Sequence, residues 1–452
     1  MRPTRHRAQW ILPISAPAIR DGALLIDSRG RIEAVGPDVA VPRPDDAEQI
    51  DLGNAVLLPG LVNVHAHPEL SVLRNVLEDL PFIEWISTLR RVKARATLDE
   101  MDLHTAALWQ LSEAYAAGIT TVAATEDSAA SLGALLETGG RGIVYREAFG
   151  PAPDQCADAM RELRTRVDAM RARATDLVRV GISPHAPYTV SDELFRAAAR
   201  YAADEALPVA VHIAESQDET DLVVDGAGAF APGLQRRGIA TPPRARSPID
   251  LLHRTGILAQ QPLLIHAVRI DTDDVRAIAD AGASVAHCPV ANARLGHGVA
   301  PVARLLDAGV TVGIGTDSMA SNNRMDLLEE ARSAQLMQRA VSLSHDTLDA
   351  ATLLRLMTLD GARALGIEAE CGSLEPGKSA DITAVSLDGV HAQPVHDVET
   401  ALVFAARGSD VVLTAVRGRV LYGERHMAID VPAVRARMEA IAARVAAARA
   451  TS

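Results

Sequence analysis

Seven residues of this chain pair a reactive side chain with a telling position. His65 and His67 close the apolar run of "LPGLVNVHAHPELS" (58–71), one residue apart. In a β-strand, positions i and i+2 project to the same face, so both imidazoles can reach one ion. Downstream stand His185 in "SPHAPYTVS", His212 and Glu215 in "HIAES", His266 in "LIHAV" and Asp317 in "GIGTDSMASNN". Three neutral imidazoles and one carboxylate make a shell for zinc or ferrous iron that leaves room for a water. The expected ligands are therefore His65, His67, His212 and Asp317 around one divalent metal, with zinc expected and iron the alternative. Glu215, three residues beyond a ligand, is placed to take a proton from that water and pass it on, and His266 to stabilise charge as it develops. Asp317 either only binds the metal or also hands a proton to the leaving group. The other histidines, among them His104, His287 and His297, read as structural or exposed, with His287 in "AHCP" the nearest bystander.

These residues need elements that bring them to one face. Short β-branched runs at 61–67, 119–125, 142–149, 178–187, 207–215, 262–268, 283–289 and 310–317 alternate with amphipathic stretches such as 98–117, 154–176, 191–206 and 271–281. Eight such alternations predict a (β/α)8 barrel, in which residues at the C-terminal ends of strands form the site. No G-x-G-x-x-G loop follows an early strand, which disfavours a doubly wound sheet. The chain ends read as short strands with Gly and Pro turns ("GALLIDSRGRIEAVG", "VVLTAVRGRVLYG"). Neither end has enough strand to stand alone, so the expectation is one small β-sandwich built from both. The expected division is residues 1–56 and 370–430 for the sandwich, 57–369 for the barrel and 431–452 for a C-terminal helix.

Composition excludes several classes. With 45 Lys and Arg against 58 Asp and Glu, the formal charge is −13, and the arginines are scattered among acids, which argues against nucleic acid or an anionic membrane as partner. No apolar stretch approaches the roughly 20 residues of a membrane span. The N-terminal run breaks at Pro13 without a cleavage pattern and reads as a first strand. Three dispersed cysteines suggest neither disulfides nor a cysteine metal site, so a cytoplasmic location is expected. The two lysines, Lys93 and Lys378, fall in a helical stretch and in the terminal strands, so no strand-end lysine is present to bridge two metals. The H-x-E with P-C-x-x-C pattern of the base-flipping zinc deaminases and the G-x-S-x-G elbow are also absent.

Taken together, "LPGLVNVHAH", "SPHAPYTVS", "HIAES", "LIHAV", "AHCPVANARLG" and "GIGTDSMASNN" resemble the amidohydrolase superfamily, in its cytosine-deaminase-like branch with chlorotriazine hydrolases and adenosine-type deaminases. The similarity runs from about Leu25 to Leu421. The resemblance implies a mononuclear zinc or iron site at His65, His67, His212 and Asp317. It also implies Glu215 as proton shuttle, His266 as the residue orienting the attacking water, and His185 in contact with substrate. It further implies a small-molecule substrate and a homodimer or larger assembly.

The segment "SVLRNVLEDLPFIEWI" is similar to the pocket lining of adenosylhomocysteine and methylthioadenosine deaminases, which makes Trp85 a substrate contact. Two features depart from them: Glu69 follows the paired histidines, and the region expected to carry a ribose-gripping carboxylate, "ISTLRRVKAR", is basic. "H-x-H-x-E-L-S" with "YREAFG" looks more like the aminodeoxyfutalosine-deaminase sub-branch. That reading makes Glu69 and Arg146 substrate residues, with Arg90, Arg91 or Arg146 to pair a substrate carboxylate. Their alternatives are a helix-start carboxylate beside Pro68 and an ion-pair partner of Glu147. The activity implied is deamination of an aminated purine-type ring. The alternatives are triazine dechlorination or deamination, cyclic-amide opening and, more remotely, an inactive scaffold of the same fold.

Overall fold

The structure is a computed structural model that describes residues 2–424 and 426–450. Strands β1 (Thr4–Ile11), β2 (Ile19–Ile26), β3 (Ile32–Pro37), β4 (Glu48–Asp51) and β5 (Ala55–Pro59) come first. The series β6 (Leu61–Ala66), β7 (Ile119–Glu126), β8 (Arg141–Ala148), β9 (Val178–Pro184), β10 (Ala210–Ile213), β11 (Leu263–His266), β12 (Ser284–His287) and β13 (Thr311–Ile314) follows. β14 (Ile382–Ser386), β15 (Val411–Val416), β16 (Arg419–Gly423) and β17 (His426–Met427) end the strand set.

β6 to β9 and β10 to β13 each form a parallel four-stranded ladder. Parallel bridges Ile182–Val209 and Ala66–Asp317 join the two ladders at both seams, which closes the eight-stranded barrel expected from the sequence. Helices cover the outside, among them Glu100–Ala116, Cys156–Arg171, Asp192–Glu205 and Thr272–Ala281. Alternation along the strands divides the apolar residues between two surfaces. Val122, Val144, Val180, Val211, Val285 and Val312 pack outward under the helices. Val62, Val64, Ala123, Ile143, Tyr145, Ala210 and Ile265 meet one another in the barrel interior.

The two chain ends do combine. Among the described residues they form one continuous nine-stranded sheet in the order β17-β16-β15-β14-β5-β1-β2-β3, with β4 added beside β1. Its apolar face joins Ala8, Ile11, Leu24 and Leu57 to Ile382, Ala384 and Leu413. The sandwich expected from the sequence is thus a single hydrogen-bonded sheet, because β5 pairs with β1 on one side and β14 on the other. The chain passes from this sheet to the barrel at Gly60, where a Cβ would lie 2.1 Å from the Thr120 methyl. Only glycine lets the backbone run that close.

The helix Val431–Ala450 buries Val434, Met438, Ile441, Val445 and Ala448, a spacing of three and four that makes one apolar stripe. It lies along Glu100–Ala116, so the chain's last segment packs on the barrel wall beside β7. Among the described residues no helix is long and apolar enough to cross a membrane.

Candidate active site at the barrel mouth

Several of the expected strands leave β conformation at or beside the residues that carry the chemistry. Ala214, His266, Ala267 and Asp317 have φ of 51°, 77°, 47° and 58°, left-handed values that cost non-glycine residues energy. The turns explain why β10, β11 and β13 are shorter than the sequence runs. They also re-aim side chains: Ile265 faces the interior, and the left-handed turn at His266 brings the next side chain to the cavity as well. In β6 a register irregularity between Asn63 and Ala66 does similar work for His65. Asn63 braces that bulge, its Oδ1 accepting from Thr316 N at 3.1 Å and His65 N at 3.3 Å.

His65 Nε2 lies 3.2 Å and His67 Nε2 3.6 Å from Asp317 Oδ1, and His67 Nε2 lies 3.3 Å from His212 Nε2. Burial, reinforced by the neighbouring imidazoles, holds His67 down to about 3 and His212 well below the usual histidine range. Two neutral rings facing each other through nitrogen at this distance present lone pairs to a common point. That arrangement fits a cation, and Asp317 supplies the charge. Burial works to raise the Asp317 pKa, but the surrounding histidines outweigh it and hold the carboxyl well below its ordinary value. Ser321 Oγ donates to its other oxygen at 2.8 Å. His65, His67 and Asp317 form one group of potential ligands, and His65, His212 and His266 another.

Glu215 Oε1 sits 3.5 Å from His266 Nε2 and 3.3 Å from His297 Nε2. Burial would raise its pKa, yet the two histidines bring it below the ordinary value, so this carboxylate is ready to accept a proton. His266 Nδ1 lies 2.9 Å from Asn292 Oδ1, an amide oxygen that only accepts, so the ring donates there and its Nε2 faces Glu215. Glu219 holds the loop: its two oxygens accept from Ala214 N at 2.7 Å and Glu215 N at 3.0 Å. It stands at the third position of the helix Gln217–Asp225, which Ser216 caps by accepting from Glu219 N.

The cavity over these groups has a volume of about 470 Å³. His185 and Glu69 line it, and so does Trp85, whose Nε1 donates to Ala320 O at 3.3 Å. Phe82, Trp85, Phe149 and Tyr188 give it aromatic walls. Glu69 does lie in the first turn of a short 3₁₀ helix, Pro68–Leu73, and is buried there. Ser128 Oγ donates to one of its oxygens and Lys93 Nζ to the other at 3.2 Å, with Asp127 Oδ1 3.1 Å from the same ammonium.

Arg146 is not brought to this cavity. Successive residues of β8 face opposite sides, so Glu147 enters the cavity while Arg146 lines a neighbouring cleft, 3.6 Å from Glu162. A substrate carboxylate in the catalytic cavity therefore has no partner in Arg146.

Sequence reasoning missed four residues here. Glu147 could have been found by counting alternation in "IVYREAF" from Ile143 and Tyr145, which face the interior. Glu219 carries the S-x-x-E signature of a helix start. His297 and Lys93 left no local signal: each reaches the site from outside the barrel strands. His287, the expected bystander, is buried with both ring nitrogens unpartnered, and burial holds it down to about 3.

A closed barrel with a histidine and aspartate cluster at its strand ends defines a class, and comparison with known proteins agrees. The chain matches the amidohydrolase family over residues 56–421 and belongs to that family. It is a hydrolytic enzyme of the kind that acts on carbon–nitrogen bonds. It is 34% identical over 414 residues to 5-methylthioadenosine/S-adenosylhomocysteine deaminase of Moorella thermoacetica, covering 91% of this chain and 92% of the relative. The deaminase of the same name from Nitratidesulfovibrio vulgaris is 34% identical over 93% of this chain and 92% of its own. Among solved structures, a zinc-bound adenosine deaminase of Xanthomonas campestris superposes with a TM-score of 0.87 at 29% identity, covering 98% of each chain. Atrazine chlorohydrolase of Arthrobacter aurescens, complexed with zinc, gives 0.85 at 27%, covering 97% of this chain and 100% of the other.

Proposed function

We propose that this protein hydrolytically deaminates an adenine nucleoside. The observation that carries the reading is the placing of Glu215, between His266 and His297 and beside the four expected ligands, under an aromatic cavity large enough for a nucleoside. His65, His67, His212 and Asp317 would hold one divalent metal, zinc first. Such an ion supplies Lewis acidity that makes water a nucleophile near neutral pH. Glu215 takes the water's proton and delivers it to a ring nitrogen of the base. His266 hydrogen-bonds the oxygen that adds to the ring, and its link to Asn292 fixes the ring's orientation. Asp317, ionised and braced by Ser321, is positioned to receive the second proton and pass it to departing ammonia. Trp85, Phe82 and Phe149 exclude bulk water around the base.

Within the nucleosides, methylthioadenosine and adenosylhomocysteine come first, since relatives with 34% identity carry those names. Arg146 lies outside the cavity, so a carboxylate on the substrate would meet Arg90, which lines it, instead. A homo-oligomeric assembly and a cytoplasmic location complete the reading. The test is incubation of zinc-loaded protein with adenosine, methylthioadenosine, adenosylhomocysteine and atrazine. Ammonia release with the adenine-to-hypoxanthine absorbance change is expected for the nucleosides. Chloride release from atrazine without nucleoside turnover would reverse the assignment in favour of dechlorination.

A further inference from the structure

Glu147 is an unused carboxyl group in the catalytic cavity. It is 8% exposed, and its Oε1 has no hydrogen-bond partner although it borders the cavity beside His185. His185 Nε2 is 3.9 Å away, too far for a direct hydrogen bond. The proton positions around His185 can be followed along a chain of contacts. Thr189 Oγ1 donates to Ala186 O at 3.1 Å, so it accepts from His185 Nδ1 at 2.8 Å. With the ring proton on Nδ1, the imidazole's Nε2 is its acceptor. Burial and the charges of Asp127 and Glu69 push the Glu147 carboxyl well above its ordinary range, which leaves it a proton to donate. An acceptor and a donor thus face one gap. A single oxygen making bonds of about 2.8 Å to both would span 3.9 Å at an angle of roughly 90°. A hydroxyl both donates and accepts, so it satisfies both partners at once.

We propose that Glu147 and His185 together read one ribose hydroxyl of the substrate, with Glu147 the residue that makes the enzyme specific for the ribonucleoside. This rests on the deamination of adenine nucleosides argued above and adds to it which end of the substrate the β8 wall recognises. Glu69 does not compete for the role, since Lys93 and Ser128 occupy both its oxygens.

The experiment measures kcat/KM of the zinc-loaded enzyme for adenosine, 2′-deoxyadenosine and 3′-deoxyadenosine, in the wild type, E147A and E147Q, with metal content determined for each. The wild type is expected to use one of the deoxynucleosides roughly tenfold to a hundredfold less well than adenosine, the usual cost of leaving buried polar groups unpaired. E147A should bring adenosine down to that level while changing the sensitive deoxynucleoside by less than about threefold. E147Q, whose amide can still donate, should stay within about threefold of the wild type. The wild-type series decides even where E147A does not fold. Equal use of all three nucleosides by the wild type, or an equal loss on all three in E147A, overturns the proposal while leaving deamination in place. So do two metal ions per chain in the wild type and one in E147A, which would give Glu147, His185 and His212 to a second ion. Failure to deaminate any of the three, and methylthioadenosine and adenosylhomocysteine as well, overturns the deaminase reading and this inference with it.

Discussion

Two walls of one cavity carry carboxyl groups of equal burial and opposite character. On the histidine wall, Glu215 and Asp317 are held below their ordinary pKa because imidazoles surround them and outweigh the cost of burial. On the opposite wall, Glu69 and Glu147 are pushed up, because burial is joined by repulsion from Asp127 that Lys93 offsets only in part, and Glu126, on β7 outside the cavity lining, is raised by burial and by Glu69. Burial alone therefore does not decide what a carboxyl group does here. Its neighbours do, and they divide the cavity into a wall where carboxyl pKa values are lowered and a wall where they are raised.

The division can be broken at its strongest point first. Glu215→Gln removes the acceptor on the histidine wall and leaves all four expected metal ligands in place. It should lower kcat by about 10³-fold with metal content unchanged, as measured by steady-state kinetics and elemental analysis. A loss below about tenfold would remove Glu215 from the proton path.

The opposite wall should show its weakness as stability. Lys93→Met leaves Glu69 buried without its cation, and is expected to lower the melting temperature by about 2–5 °C. Adding Glu69→Gln should recover part of that loss, because the uncompensated charge is then gone. No recovery would mean that Lys93 acts through Asp127 instead.

The smallest effect is one of pH. Glu126, raised to about 8 by burial and by Glu69, holds its proton in the folded chain and loses it near 4.5 in the unfolded one. Between these values the folded state binds more protons, so this group's share of stability is complete below about pH 4.5 and is lost as pH rises toward 8. Glu126→Gln should flatten that decline by about 1–3 kcal/mol, read as a smaller drop in melting temperature between pH 5 and 8. An unchanged slope would place the charge change elsewhere.

The same contrast explains what could be read from the chain. His65, His67, His212, His266 and Asp317 sit at the ends of β-branched runs, and strand period and barrel geometry together place them. The second wall depends on partners that local patterns do not pair. Lys93 comes from the helix Phe82–Arg95 and meets Glu69 across 24 positions, while Glu147 hides behind the conspicuous arginine before it. Arg146 drew attention as the only strand-end cation in "YREAFG", but on a strand its neighbour has the inward face. His297 read as structural or exposed, and the turn after the helix Pro289–Arg294, where its N donates to Asn292 O, brings it to Glu215. The terminal strands were legible as strands but not as a single sheet, since β5 pairing on both edges is a long-range fact.

Barrel closure has a consequence for assembly. The last seam is zipped where Asp317 N donates to His65 O at 3.0 Å, so two of the expected metal ligands, separated by 252 positions, are also the fastener of the fold. Contacts of such sequence separation are slow to form. A nascent chain released before β13 has docked against β6 would lack the complete pocket and the carboxylate that Asp317 brings to the histidines. Activity is licensed by completion of the ring itself.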